Sequence, residues 1–207
     1  MKGTLWVILC FAAGCLLGLG GLLPETLVHG DWTTAVLLVL LFAVGISIGS
    51  NGKLSDLFRA FRLRFLWVPL ATAAGTLAFS ALGACFLAWS VADCLAVGAG
   101  FGYYSLSSLL ITELKSASLG TQLAAELGTI ALLANVFREL LTLFLAPWLV
   151  RFFGPLAPIC CGGATTADTT LPAVLQYSGR DYLLLSVFHG VLMDFSVPFF
   201  VSVFCAW

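Results

Sequence analysis

Charge is scarce in this chain. Of its 207 residues, nine are Lys or Arg and ten are Asp or Glu, for a net charge of −1. There is no basic run, which argues against a nucleic-acid surface. The seven cysteines (Cys10, Cys15, Cys85, Cys94, Cys160, Cys161 and Cys205) match no zinc spacing and lie mostly within apolar runs. They read as small packing residues, and no metal or cofactor is implied. The adjacent Cys160 and Cys161 would close only a strained ring, and no redox partner motif stands near them. There is no serine-protease or metal-ligand constellation, so no enzyme activity is expected. There is no A-x-A cleavage site before Pro24, and the apolar run Leu5 to Leu23 is too long for a leader core. That run therefore reads as a retained first transmembrane helix. No tandem repeat, soluble domain or low-complexity linker is evident, so residues 1–207 read as a single membrane transport domain.

What is present is apolar surface. The chain is 61% hydrophobic, with a mean hydropathy of +1.08. No soluble domain of this length needs so much, so the fold class is an all-α polytopic membrane protein. Long apolar spans cover 5–23, 33–49, 65–91, 121–150 and 182–206. Each approaches or exceeds the roughly 20 residues needed to cross the hydrocarbon core. Two further segments, 93–113 and 155–178, are apolar but broken by glycine and proline. The first carries Gly98, Gly100 and Gly102, and the second carries Pro155, Pro158, Gly162, Gly163 and Pro172.

Lys53, Arg59, Arg62 and Arg64 share one short connection, which predicts a cytoplasmic loop and a cytoplasmic N-terminus. Within it, Leu54, Leu57, Phe58 and Phe61 fall on one face, suiting a short interfacial helix over 53–65. Beyond residue 91 two topologies remain open. Either both broken segments cross fully, or 93–113 dips in from outside and 155–178 dips in from the cytoplasm. The second obeys the positive-inside rule better, and it makes 65–113 an inverted counterpart of 121–178.

Intramembrane acids are costly and usually functional. Asp168 lies in CCGGATTADTTLP, residues 160–172, where Gly162, Gly163, Thr165 and Thr166 supply flexible polar backbone. It is a site candidate, or an N-cap for a helix starting near Thr169. Glu139, Asn135 and Thr142 share a helical stripe with Gly128, Ala131 and Ala146, which should face protein or water. Arg138, about 100° away from Glu139, is expected to meet a carboxylate on another segment. Asp194 is central in the last span. His189, about 140° from Asp194, reads as a packing histidine. In the first broken segment, Ser105 and Ser107 can bind solute or cap a half-helix, and Tyr103 and Tyr104 can pack on it. A half-helix N-terminus there favours a carboxylate.

Four stretches carry a family likeness. They are FAVGISIGSNG at 42–52, GFGYYSLSSLLITE at 100–113, NVFREL with the following APWLVR at 135–151, and CGGATTADTTLP at 161–172. VFHG at 187–190 fits as well. Together they span nearly the whole chain, which resembles the LysO family of bacterial lysine exporters. The resemblance implies an inner-membrane secondary transporter that exports L-lysine or a close analogue, driven by an ion gradient. It also implies functional roles for Glu139 and Asp168. Longer members carry extra N-terminal helices, so a homo-oligomer or a separate short membrane subunit is the expected assembly.

The mechanism expected from these readings is exchange. Lysine's ammonium meets Glu139 or Asp168, and its α-carboxylate meets amides and hydroxyls near Tyr104–Ser108 or Thr165–Thr166. A dry carboxylate holds a proton more readily than one in water, so a proton, or else sodium, can displace the cation. The alternatives are a cation/proton antiporter, an exporter of another cationic solute, or an intramembrane aspartyl protease using Asp168 and Asp194. The protease reading lacks the usual Y-D and G-x-G-D contexts.

Overall fold

The computed structural model describes residues 63–207 continuously, together with single helical positions at Ala13, Leu16, Leu17, Val39, Phe42 and Ile46. Apart from those positions and the 3-10 turn Leu63–Leu66, the expected spans 5–23 and 33–49 and the interfacial helix 53–65 therefore lie outside the described residues. The described region is helical, and it contains α1 (Trp67–Gly83), α2 (Val91–Gly98), α3 (Tyr104–Leu119), α4 (Thr121–Phe153), α5 (Ala157–Gly162), α6 (Leu171–Tyr177) and α7 (Leu183–Cys205). Among the described residues, three stretches are long and apolar enough to cross a membrane: Arg64–Gly83, Thr121–Phe153 and Arg180–Cys205.

The predicted span 65–91 is shorter than expected. α1 stops at Gly83, and turn hydrogen bonds from Cys85 to Leu82 and from Phe86 to Gly83 follow it. Ser90 then opens α2. Its Oγ accepts from Asp93 N at 3.1 Å and donates to the Asp93 carboxylate at 2.6 Å, which ties down the first turn. Residues 84–90 are thus a connection between helices, not the end of a span.

The first broken segment folds back on itself. Lys115 Nζ lies 2.8 Å from Asp93 Oδ1, and both side chains are buried. In one continuous helix these residues would stand roughly 33 Å apart at 1.5 Å rise per residue. α2 and α3 are therefore the two arms of a hairpin. Its tip is the stretch Ala99–Tyr103, where Phe101 and Gly102 both take positive φ, 45° and 102°. The full-crossing topology is overturned here, because the ion pair closes the base of the hairpin.

The second broken segment does the same. Ile159 on α5 and Val174 on α6 share one packed cluster with Leu185. Between these arms the tip winds through a 3-10 turn, Gly163–Ala167, and on to Thr170. Asp168 does not cap α6, whose N-cap is Thr170. The Asp168 carboxylate instead accepts from the neighbouring Thr169 amide.

The two hairpins enter from opposite ends. The base of the second packs near Leu185, at the start of α7. The base of the first lies toward Cys205 at the end of α7, which belongs to the buried cluster that Leu119 of α3 packs against. α1 runs toward the first base and α4 runs toward the second, so the two helix-plus-hairpin units are inverted. Their tips meet backbone to backbone, with Ala164 N donating to Phe101 O at 2.9 Å.

Glycine is required at this crossing. A Cβ on Gly163 would collide with the Phe101 carbonyl, and one on Gly102 would stand 2.9 Å from Gly162 O. Around the crossing, Ala99, Phe101, Leu106, Ala164 and Met193 pack into one buried core. Many large apolar side chains are exposed, Trp67, Phe79, Phe137, Phe144 and Phe199 among them, as lipid-facing surface requires.

Candidate functional site

The buried stripe of α4 is the one its sequence spacing predicted. Gly128, Ala131, Asn135, Glu139, Thr142 and Ala146 are all buried. Three polar members of this helix do different work. Asn135 Oδ1 accepts from Gly102 N at 2.7 Å, and its Nδ2 donates to Ala131 O at 2.8 Å. Arg138, one turn on, donates from Nε to Cys161 O at 2.7 Å and from Nη2 to Cys160 O at 2.9 Å. Glu139 points toward the crossing and is fully buried. The expectation that Arg138 meets a carboxylate is replaced by this contact with two carbonyls. Those carbonyls end α5, where a helix leaves acceptors unsatisfied and carries partial negative charge.

Beside the crossed tips lies a cavity of about 170 Å³. Its wall is Gly102, Tyr103, Tyr104 and Ser105 from the first hairpin, Ala164, Thr165, Asp168 and Thr169 from the second, Glu139 from α4 and Asp194 from α7. That space is several times the roughly 30 Å³ share of one water, and below the range of drug-sized ligand pockets. Among the described residues, three carboxylates and no basic side chain line it. α3 starts at Tyr104, so the first amides of a 16-residue helix, which lack helical acceptors, stand at the same wall.

Of the candidates read from the sequence, Glu139, Asp168, Asp194, Tyr103, Tyr104, Ser105 and Thr165 come together in this wall. The others stand behind it. Ser107 is buried and donates to Tyr103 O at 2.8 Å. Thr166 donates to Gly163 O at 2.7 Å and lies 3.2 Å from His189 Nδ1. Gly162 and Gly163 form the crossing, and Asn135 and Arg138 brace it. His189 is the packing histidine expected, since its Nε2 also lies 3.0 Å from Thr72 Oγ1 on α1. Ala164 joins the wall without any sequence signal. Only its backbone contact with Phe101 places it there.

Inverted repeats whose broken helices meet at a cavity recur among secondary transporters. The sequence profile described as lysine exporter LysO matches residues 8–205. The chain belongs to the lysine exporter LysO family. It is 31% identical over 195 residues to the lysine exporter LysO of Escherichia coli (strain K12), covering 93% of this chain and 61% of that one. The chain thus spans about three fifths of the length of that relative. It is 28% identical over 173 residues to a putative lysine exporter of Haemophilus influenzae (strain ATCC 51907 / DSM 11121 / KW20 / Rd), covering 83% of each. No solved structure matches. The LysO family is one of transporters and not of enzymes, which is the class expected from the sequence.

Proposed function

We propose that this chain exports L-lysine, or a closely similar cationic amino acid, across the inner membrane in exchange for protons, with the acid-lined cavity as its site. One observation carries the reading: Glu139, Asp168 and Asp194 converge on a single small cavity at the crossing of two opposed hairpins, with no basic side chain among the described residues of its wall. Within the membrane such a group of carboxylates attracts cations strongly, because the surrounding dielectric is low. Lysine's ammonium groups suit the carboxylates. Its α-carboxylate suits the free amides at the start of α3, with Ser105 and Thr165 beside them. The ring faces of Tyr103 and Tyr104 favour an ammonium as well.

Proton coupling follows from the same chemistry. Lysine leaves when protons take its place on the carboxylates, and the two hairpins admit solute from one side at a time. The test is counterflow of labelled lysine in proteoliposomes under an imposed pH gradient. Lysine movement that responds to that gradient, and that is lost in well-folded Glu139→Gln and Asp168→Asn variants, supports the reading. Normal rates in both variants would end it. Proton flux driven by sodium or potassium and indifferent to lysine would replace it with a cation/proton antiporter. Growth of a lysine-sensitive strain carrying this gene alone, or with a second short membrane chain, tests the assembly.

A further inference from the structure

Each hairpin tip is held by one side chain of α4. Asn135 takes the Gly102 amide of the first tip, and Arg138 takes the Cys160 and Cys161 carbonyls of the second. The two grips differ in kind. An amide oxygen accepts from a single N–H. A guanidinium is a planar fork whose adjacent donors match two neighbouring carbonyls, and its charge lies at the negative end of α5. Its remaining arm, Nη1, reaches Thr76 Oγ1 on α1 at 3.4 Å. Gly163 follows after one residue, Gly162, and a Cβ on Gly163 would sit 3.2 Å from Nη2. Arg138 therefore grips the chain immediately before the point where the tips cross. Asp168 and Thr165 hang from the few residues beyond that grip.

We infer that Arg138 is a positioning residue. It fixes the second hairpin tip, and through it Asp168 and Thr165 in the cavity wall, without touching the transported solute. The inference rests on the transport reading for its functional consequence but not for its structural one. Two other roles are conceivable for a cation at this depth, a ligand for the solute's carboxylate or a counter-ion to the cavity acids. The geometry favours neither. Arg138 is absent from the cavity wall, and its hydrogen bonds run to carbonyl and hydroxyl oxygens. Among the described residues, the titratable groups around it are Glu139 on its own helix, Cys160 and Cys161 on α5, and His189 on α7.

The experiment compares wild type, Arg138→Lys and Arg138→Gln in the full chain, with two readouts. The first is amide hydrogen exchange of the tip, residues 160–167. The inference expects exchange at least about tenfold faster in Arg138→Gln, the scale of one lost charge-assisted hydrogen bond, and partial protection in Arg138→Lys. The second is lysine transport against concentration and pH. Maximal rate should fall with the loss of protection and recover with it in Arg138→Lys, while the pH of half-maximal transport stays put. Unchanged exchange in Arg138→Gln overturns the inference. A pH profile displaced by about one unit overturns it too, because removing a neighbouring charge shifts the proton affinity of a carboxylate. A rise in KM with maximal rate and exchange both unchanged would make Arg138 a solute ligand. A wild-type protein that moves no lysine would sink the transport reading alone and leave the exchange result to decide the role of Arg138.

Discussion

Gly163→Ala is the substitution that bears hardest on this fold. Gly163 takes φ 62° and ψ −127°, a region that side-chain-bearing residues avoid. Holding alanine there costs on the order of 1–3 kcal/mol. The added methyl would also strike the Phe101 carbonyl, which accepts from Ala164 N at 2.9 Å. Prising the tips apart leaves a buried amide and carbonyl without each other, at roughly 1–3 kcal/mol more. The combined cost is about 2–6 kcal/mol, a large share of the roughly 5–15 kcal/mol that typically separates folded from unfolded protein. For a chain of this size each kcal/mol moves Tm by about 2–4 °C, so a fall on the order of 10 °C is expected. The assay is thermal unfolding of purified protein in detergent, paired with lysine uptake into vesicles. Gly75→Ala is the control. Gly75 lies inside α1 with nothing among the described residues within 4 Å of a new Cβ, so alanine there should leave Tm unchanged or slightly raised. A Gly163→Ala protein with the Tm and transport rate of wild type would refute a backbone crossing at this point.

Asp93→Asn leaves the Lys115 ammonium buried without its counter-charge, and should destabilise by about 3–5 kcal/mol. Asp93→Asn combined with Lys115→Met should recover most of that loss, and thermal unfolding reads both. Asp194→Asn should leave Tm within a few degrees of wild type, since Asp194 is half-buried in the cavity wall, yet reduce lysine transport at least about tenfold if it contributes a charge to cation binding. His189→Ala should lower Tm by the equivalent of about 2–4 kcal/mol, because Thr72 and Thr166 both lose a buried partner and a void opens at the tip. The pH dependence of transport in that variant should follow wild type, which a proton-carrying histidine would not allow.

Much of the site was legible as residue types before it was visible as a place. Glu139 announced itself by sitting on a stripe of small and polar residues three and four apart, and that stripe is the buried face of α4. Asp168 and Asp194 were marked by the cost of a carboxylate inside an apolar run. The partner of Arg138 was not legible. Sequence offers only side chains to pair with a guanidinium, whereas the acceptors are the backbone carbonyls of Cys160 and Cys161, which any residues would supply. Asp168 as a helix cap was a reasonable local reading. It fails because Pro172 suits the second position of α6, so that helix starts at Leu171 and takes Thr170 as its cap.

Composition and spacing alone determined a membrane protein with helical spans, two interrupted segments and acids in its interior. These are local properties: hydropathy accumulates along a run, and a glycine or proline breaks a helix where it stands. Only the tertiary structure decided that each interrupted segment doubles back and that the tips cross. That outcome depends on contacts between residues far apart in the chain, Asp93 with Lys115 and Phe101 with Ala164. The second of these is made by backbone atoms that every residue shares, so no pattern of side chains records it.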